Sequence, residues 1–445
     1  MDSGELLKIG VRLTVGSGQE CIVEEFLGGG GQGEVYRVKI GSENYALKWY
    51  FNHNQTPQLK KSLSELVKRG SPSNNFLWPK LIIECEKQFG YVMDLRPPEY
   101  EKSQKLLDRK FSLSYSKACN ACLLLADSFR KLHINGLSYQ DISWGNIFIN
   151  PKDGNILICD NDNVTPHGST VAGIGGTYGF MAPEVVRGEK LPDTYTDMFS
   201  LAALMFQMLF LEHPLNGSRW ADIACWGELA KKKLYGTEPI FIFDPKDDSN
   251  RPKPGVQDNA NIFWNMYPQY IKDKFTKVFT IGLTDRENGR LLEEDWINAF
   301  RRLQETLFPC PYCGREIIYD HDKLQQVGHL TCWGTKCKKE LPLPPRLKIK
   351  TGKRERYIVL NTDTKMFAYQ LTTLNENDVV KGNIVVGEMA QSPNDPKKWG
   401  LRNLTNDNWH YTSPSGTKDV HPGKAFILSK DISIDFGNAQ AEILI

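Results

Sequence analysis

The 445-residue sequence has almost no surplus charge of either sign, no long apolar run and few cysteines. With 55 basic against 53 acidic residues, its net charge of +2 supplies no general attraction to nucleic acid or to an anionic membrane. Neither is expected as a partner. The most apolar run, around Leu201 to Leu211, contains Gln207 and is too short to span a bilayer. The opening MDSGELLKIG lacks the apolar core of a secretory signal, so a cytoplasmic protein is expected. Ten cysteines in a chain of this length do not make a disulfide scaffold, which suits a reducing compartment. Solenoid-length repeats and sustained low-complexity segments are also missing. What is present is an ordinary globular composition, 40% hydrophobic and 24% charged. The chain is longer than the roughly 250–300 residues at which single cores stop growing, so two or more domains are expected.

Residues 20–95 alternate short β-type runs (CIVEEFL, EVYRVKI, YALKWYF, LIIECE, GYVMDL) with one helical stretch from about Gln58 to Arg69. In that stretch Leu59, Leu63, Leu66 and Val67 share one apolar face. From about Tyr115 to Leu307 the pattern is mainly helical, interrupted by a loop-rich interval at 140–185. The character changes at Pro309, where CPYCG opens a short cysteine-bearing module over 308–343, followed by the linker-like LPLPPR. Over 345–445, runs such as RYIVL, NIVVG, WGLRNL, WHYT and AFILS alternate with turn residues, the pattern of an all-β sandwich. The class is α+β.

The segment FLGGGGQGEVYRV sets Gly28, Gly30 and Gly33 in a G-x-G-x-x-G-x-V pattern between two strands, where the backbone can approach phosphate oxygens without an intervening Cβ. Taken alone, the run also describes a glycine-rich hairpin. It is followed by YALK, which puts Lys48 at the end of a third strand, and by Glu65 on the next helix. Farther on, YQDISWGN carries Asp141 and, five residues later, Asn146; an apolar run then leads to Asp160-Asn161-Asp162, and GGTYGFMAPE follows.

This ordered series resembles the protein kinase superfamily. The resemblance implies a bilobal fold over 20–307, with an N-lobe at about 20–95 and a C-lobe at about 96–307. It implies that Lys48 binds the α/β-phosphates of ATP and is held by Glu65. Gly28, Gly29, Gly30, Gly31 and Gly33, with Val35 and Ala46, would line the nucleotide site. Met93 stands in the gatekeeper position of GYVMDL, with backbone groups near Asp94 and Leu95 facing adenine. Asp141 would orient a substrate hydroxyl and accept its proton, while Asn146 and Asp160 would bind Mg2+. Asp162 is the alternative metal ligand. Glu184 of Ala182-Pro183-Glu184 would pair with Arg290, Thr177 accompanies Ser/Thr specificity, and Asp197 would brace the catalytic loop.

Several positions depart from the family pattern. Tyr139 and Gln140 stand in place of His and Arg, which removes the cation that would pair with an activation-loop phosphate. Ser143 occupies a slot usually held by Lys, and Asn161-Asp162 replaces Phe-Gly. Loop phosphorylation is therefore not expected to be the trigger, and turnover is expected to be slow.

Behind this region Cys310, Cys313, Cys332 and Cys337 form C-x-x-C followed by C-x-x-x-x-C, a set suited to one structural zinc. So small a module is expected to depend on metal, not on a hydrophobic core. Cys119 and Cys122 lie in an apolar helix and read as core residues. The run from WGLRNL to the final ISIDFG resembles a forkhead-associated (FHA) domain. Glu388, however, stands where a phosphate-binding Arg is usual, which points to docking and not to phosphothreonine binding. The whole arrangement resembles stand-alone bacterial protein kinases, which implies von Willebrand A-type proteins and metal-dependent phosphatases as partners beside a protein substrate. Two other readings are weighed: a nucleotide-binding pseudokinase scaffold, and a small-molecule kinase, whose H-G-D-x-x-x-x-N loop YQDISWGN also resembles.

Overall fold

In the computed structural model, which describes residues 6–16, 18–169, 176–352, 354–372 and 383–445, the alternating runs form one antiparallel sheet in the order β1-β2-β3-β4-β6-β5. The strands are β1 (Arg12–Thr14), β2 (Glu20–Gly29), β3 (Gly33–Ile40), β4 (Glu43–Tyr50), β5 (Leu81–Cys85) and β6 (Gln88–Asp94). β1 lies ahead of the stretch in which strands were expected. The two-residue period sorts the side chains. Cys21, Val23, Tyr36, Val38, Leu47, Trp49 and Val92 bury one face in a common cluster. Ala46, Tyr50, Tyr91 and Met93 bury the other with Leu63 of α1 (Pro57–Arg69). Lys48, midway between Ala46 and Tyr50, shares that second face.

Helix α1 begins where Thr56 caps it, its hydroxyl accepting from the Leu59 amide at 3.2 Å, with Pro57 in the first turn. It ends at Gly70, whose φ of 75° breaks the helix. Leu63 and Leu66 face the sheet, and Glu65 points to solvent.

The chain divides into two compact units, the first comprising Met1–Leu113, Asn120–Asn265 and Gln269–Ile297. Beyond the sheet come α2 (Gln104–Leu107), α3 (Tyr115–Ile134), α4 (Pro183–Val186) and α5 (Thr194–Phe210). Asp193 caps α5, accepting from the Thr196 amide at 3.0 Å. From Phe199 to Phe210 every residue of α5 is buried, so this helix is a central post and not a membrane span. Among the described residues no helix is long and apolar enough to cross a membrane.

The second unit comprises Ser114–Cys119, Met266–Pro268 and Asn298–Ile445. Two short hairpins, Leu307–Pro309 with Glu316–Ile318 and Leu330–Thr331 with Glu340–Leu341, carry the cysteines and flank a helix at His321–Val327. The described residues of 346–444 supply a six-stranded and a four-stranded sheet, both antiparallel, around one core that includes Leu347, Met366, Leu401, Trp409 and Ile443. The expected dependence of 308–343 on metal alone does not match the packing. Phe308, Ile317, Tyr319, Leu324, Leu330 and Leu341 form an apolar cluster with Val359, so metal is not the only thing that can hold 308–343 together.

Candidate active site and cysteine cluster

The glycine-rich turn joins β2 to β3. A Cβ at Gly28, Gly30 or Gly31 would meet nothing within 4 Å, which leaves room for a ligand over the turn. Gly33 is glycine for a different reason: a Cβ there would lie 2.1 Å from the Trp49 carbonyl of β4. Gly29 sits at the end of β2, paired with Glu34. Val35, Ala46, Met93 and Leu95 gather with Leu157 and Cys159 in one apolar cluster, while Asp94 is exposed and pairs with Lys80 at 2.5 Å.

Lys48 is buried and opposes Tyr91 across β4 and β6. Its Nζ donates to Asp162 Oδ2 at 2.8 Å and Oδ1 at 3.1 Å, and to Gln32 Oε1 at 2.8 Å. Asp160 Oδ1 stands 3.6 Å away. Burial works against the Lys48 charge, but the Asp162 and Asp160 carboxylates outweigh it and hold its pKa above the usual lysine value. The expected Lys48–Glu65 pair is not formed. Glu65 lies between Leu63 and Leu66 in α1 but is turned to solvent, and Asp162 occupies the place beside the lysine.

The loop after Leu137–Ser138 brings Asp141 and Asn146 together: the Asn146 amide donates to the Asp141 carbonyl at 2.8 Å and to its Oδ2 at 3.0 Å. Thr177 Oγ1 donates to Asp141 Oδ1 at 2.8 Å. Asp197 of α5 accepts from the backbone amides of Tyr139 and Gln140, at 2.6 and 2.9 Å, and so fastens the loop to the central helix. Gln140 adopts a φ of 73° and donates through Nε2 to the Ser169 carbonyl at 2.7 Å and to the Thr165 hydroxyl. Ser143 is buried and supplies no cation. Arg290 grips Glu184 with two parallel 2.7 Å bonds, a buried bidentate pair.

His133 was not singled out in the sequence, yet it supports the same loop. Its ring nitrogens face Glu293 Oε1 at 2.6 Å and Asp197 Oδ2 at 3.2 Å, and both must carry a proton to meet two carboxylates. Burial opposes that charge, but the bonds to Asp197 and Glu293 raise the pKa from 6.5 to about 9. Because the folded value is the higher one, this stabilisation is complete below pH 6.5 and fades as pH rises towards 9. Thermal unfolding should therefore show the melting temperature falling across that window, and His133→Asn should flatten the slope. An equal slope in the variant would assign the pH dependence to another group.

Asp160 has a φ of 51°, a left-handed backbone that Asp tolerates better than most residues. Its side chain is 44% exposed, whereas that of Asp162 is 1% exposed. Between them, buried Asn161 donates to the carbonyls of Leu77 at 2.8 Å and Ile158 at 3.0 Å. A fixed amide thus stands where the sequence pattern would place an aromatic. Asp141 and Asp162 are both close enough to act electrostatically on Asp160, and Lys48 meets Asp160 and Asp162 together. That surplus of negative oxygen, beside the Asn146 amide, fits a hard divalent cation.

The sulfurs of Cys310, Cys313, Cys332 and Cys337 all lie within 4.8 Å of one another. The Cys313–Cys332 and Cys310–Cys337 separations are 3.5 and 4.0 Å. These bracket the edge of about 3.8 Å for a tetrahedron with metal–sulfur bonds of about 2.3 Å. The Gly334 amide donates to Cys332 Sγ at 3.4 Å, and the Tyr312 and Cys313 amides face Cys310. His329 is exposed and outside the cluster. Cys119 and Cys122 are fully buried.

Of the side chains that complete the lysine site, Gln32, Tyr50 and Tyr91 escaped sequence reasoning. A signal existed for Tyr50, which lies two residues beyond Lys48 on the same strand face. None existed for Tyr91, whose position depends on strand register.

Residues 21–252 match the family model described as Protein kinase domain. The chain is 36% identical over 157 residues to Protein kinase C-like 1 of Candida albicans, covering 33% of this chain and 14% of that protein. It is 25% identical over 231 residues to serine/threonine-protein kinase mos of Xenopus laevis, covering 45% and 60%. Against mitogen-activated protein kinase kinase kinase 7 of Drosophila melanogaster it is 22% identical over 294 residues, covering 64% and 39%. The matches thus span 14% to 60% of the length of these relatives.

Proposed function

As the chain belongs to the protein kinase family, we propose that residues 20–307 transfer the γ-phosphoryl group of Mg-ATP to Ser or Thr hydroxyls of a protein substrate. The reading rests chiefly on Asp141, whose carboxylate is held between the Thr177 hydroxyl at 2.8 Å and the Asn146 amide at 3.0 Å. Asp141 orients the acceptor hydroxyl and takes its proton. Gly28 to Gly31 present backbone amides, Lys48 offers its ammonium to phosphate oxygens, and Asp160 with Asn146 would hold magnesium. The metal would supply neutralisation of phosphate charge. Val35, Ala46, Met93 and Leu95 supply the apolar walls for adenine. ATP-dependent phosphorylation with mass-spectrometric mapping of Ser or Thr acceptor sites tests the assignment.

Buried Ser143 favours a second reading, a pseudokinase scaffold, because that position offers no cation to the developing charge. Label transfer abolished by Asp141→Asn would exclude it. The bidentate Glu184–Arg290 pair belongs to the protein kinase pattern and argues against a small-molecule kinase.

Residues 308–343 form a zinc ribbon in this reading, and 345–445 an FHA-like docking domain. Glu388 is committed to Arg402 at 2.8 Å and would repel a phosphate dianion. A reducing cytoplasm suits four thiolates, and von Willebrand A-type proteins and metal-dependent phosphatases are the proposed partners.

Regulation follows from Gln140. Its amide ties down the Ser169 backbone carbonyl without any phosphate, and alanine keeps that carbonyl. Ser169→Ala should retain activity to within about tenfold in a steady-state assay; a larger loss with normal ATP binding would reinstate a phosphorylation switch. Thr170, the neighbouring candidate, lies outside the described residues.

A further inference from the structure

We propose that Asp162 is the anion that positions Lys48 towards the nucleotide, in the part expected of Glu65, so that helix α1 does not gate the site through an ion pair. The inference rests on the phosphoryl-transfer reading above. Two of the three Nζ donors of Lys48 go to Asp162, at 2.8 and 3.1 Å. The same carboxylate accepts from Tyr50 Oη at 2.6 Å and Tyr91 Oη at 3.4 Å. Its side chain is 1% exposed, and four contacts from three donor groups leave it little capacity for a metal. Asp160 is the one left open to the cleft, its side chain 44% exposed.

The cage is anchored at both ends. Tyr50 and Tyr91 belong to β4 and β6, and the turn Asn161–Asn163 is tied by Asn161 to the Leu77 and Ile158 carbonyls. Neither anchor involves Glu65, which is exposed on α1. The third Nζ donor meets Gln32 Oε1 at 2.8 Å, a neutral partner on the glycine turn that a phosphate oxygen can replace. Lys48 is thus aimed by strands and a pinned turn.

Two measurements on the full chain test this. In steady-state transfer, Asp162→Asn should lower kcat about 100-fold, the size of effect expected from misplacing a reacting partner. Glu65→Gln should stay within about twofold of the parent. The Lys48→Met, Asp162→Asn double variant should be no slower than Lys48→Met alone, because Asp162 acts through the lysine. Losses that multiply would overturn the proposal, as would a large defect in Glu65→Gln.

The second measurement needs no nucleotide. Acetylation of Lys48 by acetic anhydride at fixed pH, read by mass spectrometry against exposed Lys87, should be slow in the parent and in Glu65→Gln. It should be faster in Asp162→Asn and in Tyr50→Phe, which keeps the carboxylate but removes a donor. Should Asp162→Asn not fold, Tyr50→Phe decides, and an unchanged rate there refutes the cage. If the parent transfers no phosphate, the kinase reading falls while acetylation still identifies the partner of Lys48.

Discussion

Asp141→Asn and Asp160→Asn are each expected to give a folded protein whose transfer of radiolabelled phosphate from ATP falls by about 10²–10⁴-fold. Neither change removes packing. Asp141 is half-buried and held by hydrogen bonds from Thr177 and Asn146, and asparagine keeps its shape while losing the charge that accepts a proton. Asp160 is partly open to solvent, its side chain 44% exposed, so its replacement should cost charge at the proposed metal site and little packing. Lys48→Ala should fall in the same range, since it removes the cation that, among the described residues, pairs with both Asp160 and Asp162. Circular dichroism and thermal unfolding would establish that the variants fold. Parent-like turnover in Asp160→Asn would show that the metal is held elsewhere; parent-like turnover in Asp141→Asn would remove the general base from the mechanism.

Changing Cys332 and Cys337 together to Ser is expected to abolish the binding of one zinc per chain and to open residues 308–343 to protease. Structural zinc contributes about 10–16 kcal/mol of binding free energy in small peptides at neutral pH. The two hairpins carry only a few side chains that could replace it, and the apolar cluster around Phe308, Tyr319 and Leu341 leans on Val359 of a neighbouring strand. Partial order should therefore survive in Tyr319 and the helix His321–Val327, with cleavage concentrated near the cysteines. The strands between Arg346 and Leu444 have a separate core and should stay folded. Elemental analysis finding no metal in the parent, or a double variant as resistant as the parent, would return the cysteines to the role of packing residues.

Much of the molecule follows from local pattern. Period-two runs anticipate the sheet, the Leu63 and Leu66 spacing anticipates the buried side of α1, and the spacing of four cysteines anticipates their cluster. The five-residue step from Asp141 to Asn146 places two polar groups on one short loop, where they meet. Such features depend on neighbours in the chain, and backbone geometry alone converts their spacing into proximity.

The identity of the lysine's partner was decided differently. Spacing along α1 made Glu65 a reasonable choice, but burial of Leu63 and Leu66 turns it to solvent, and Asp162 arrives from 114 residues away. The same holds for His133, which joins Glu293 across 160 residues, and for Gln140, whose amide finds the Ser169 carbonyl. The amino-acid sequence by itself determined which residues could carry charge, bind metal or turn the chain. Which of them share a buried site was settled only by the tertiary structure, because a charge removed from water must find its counter-charge in space, and distance along the chain does not say where that is.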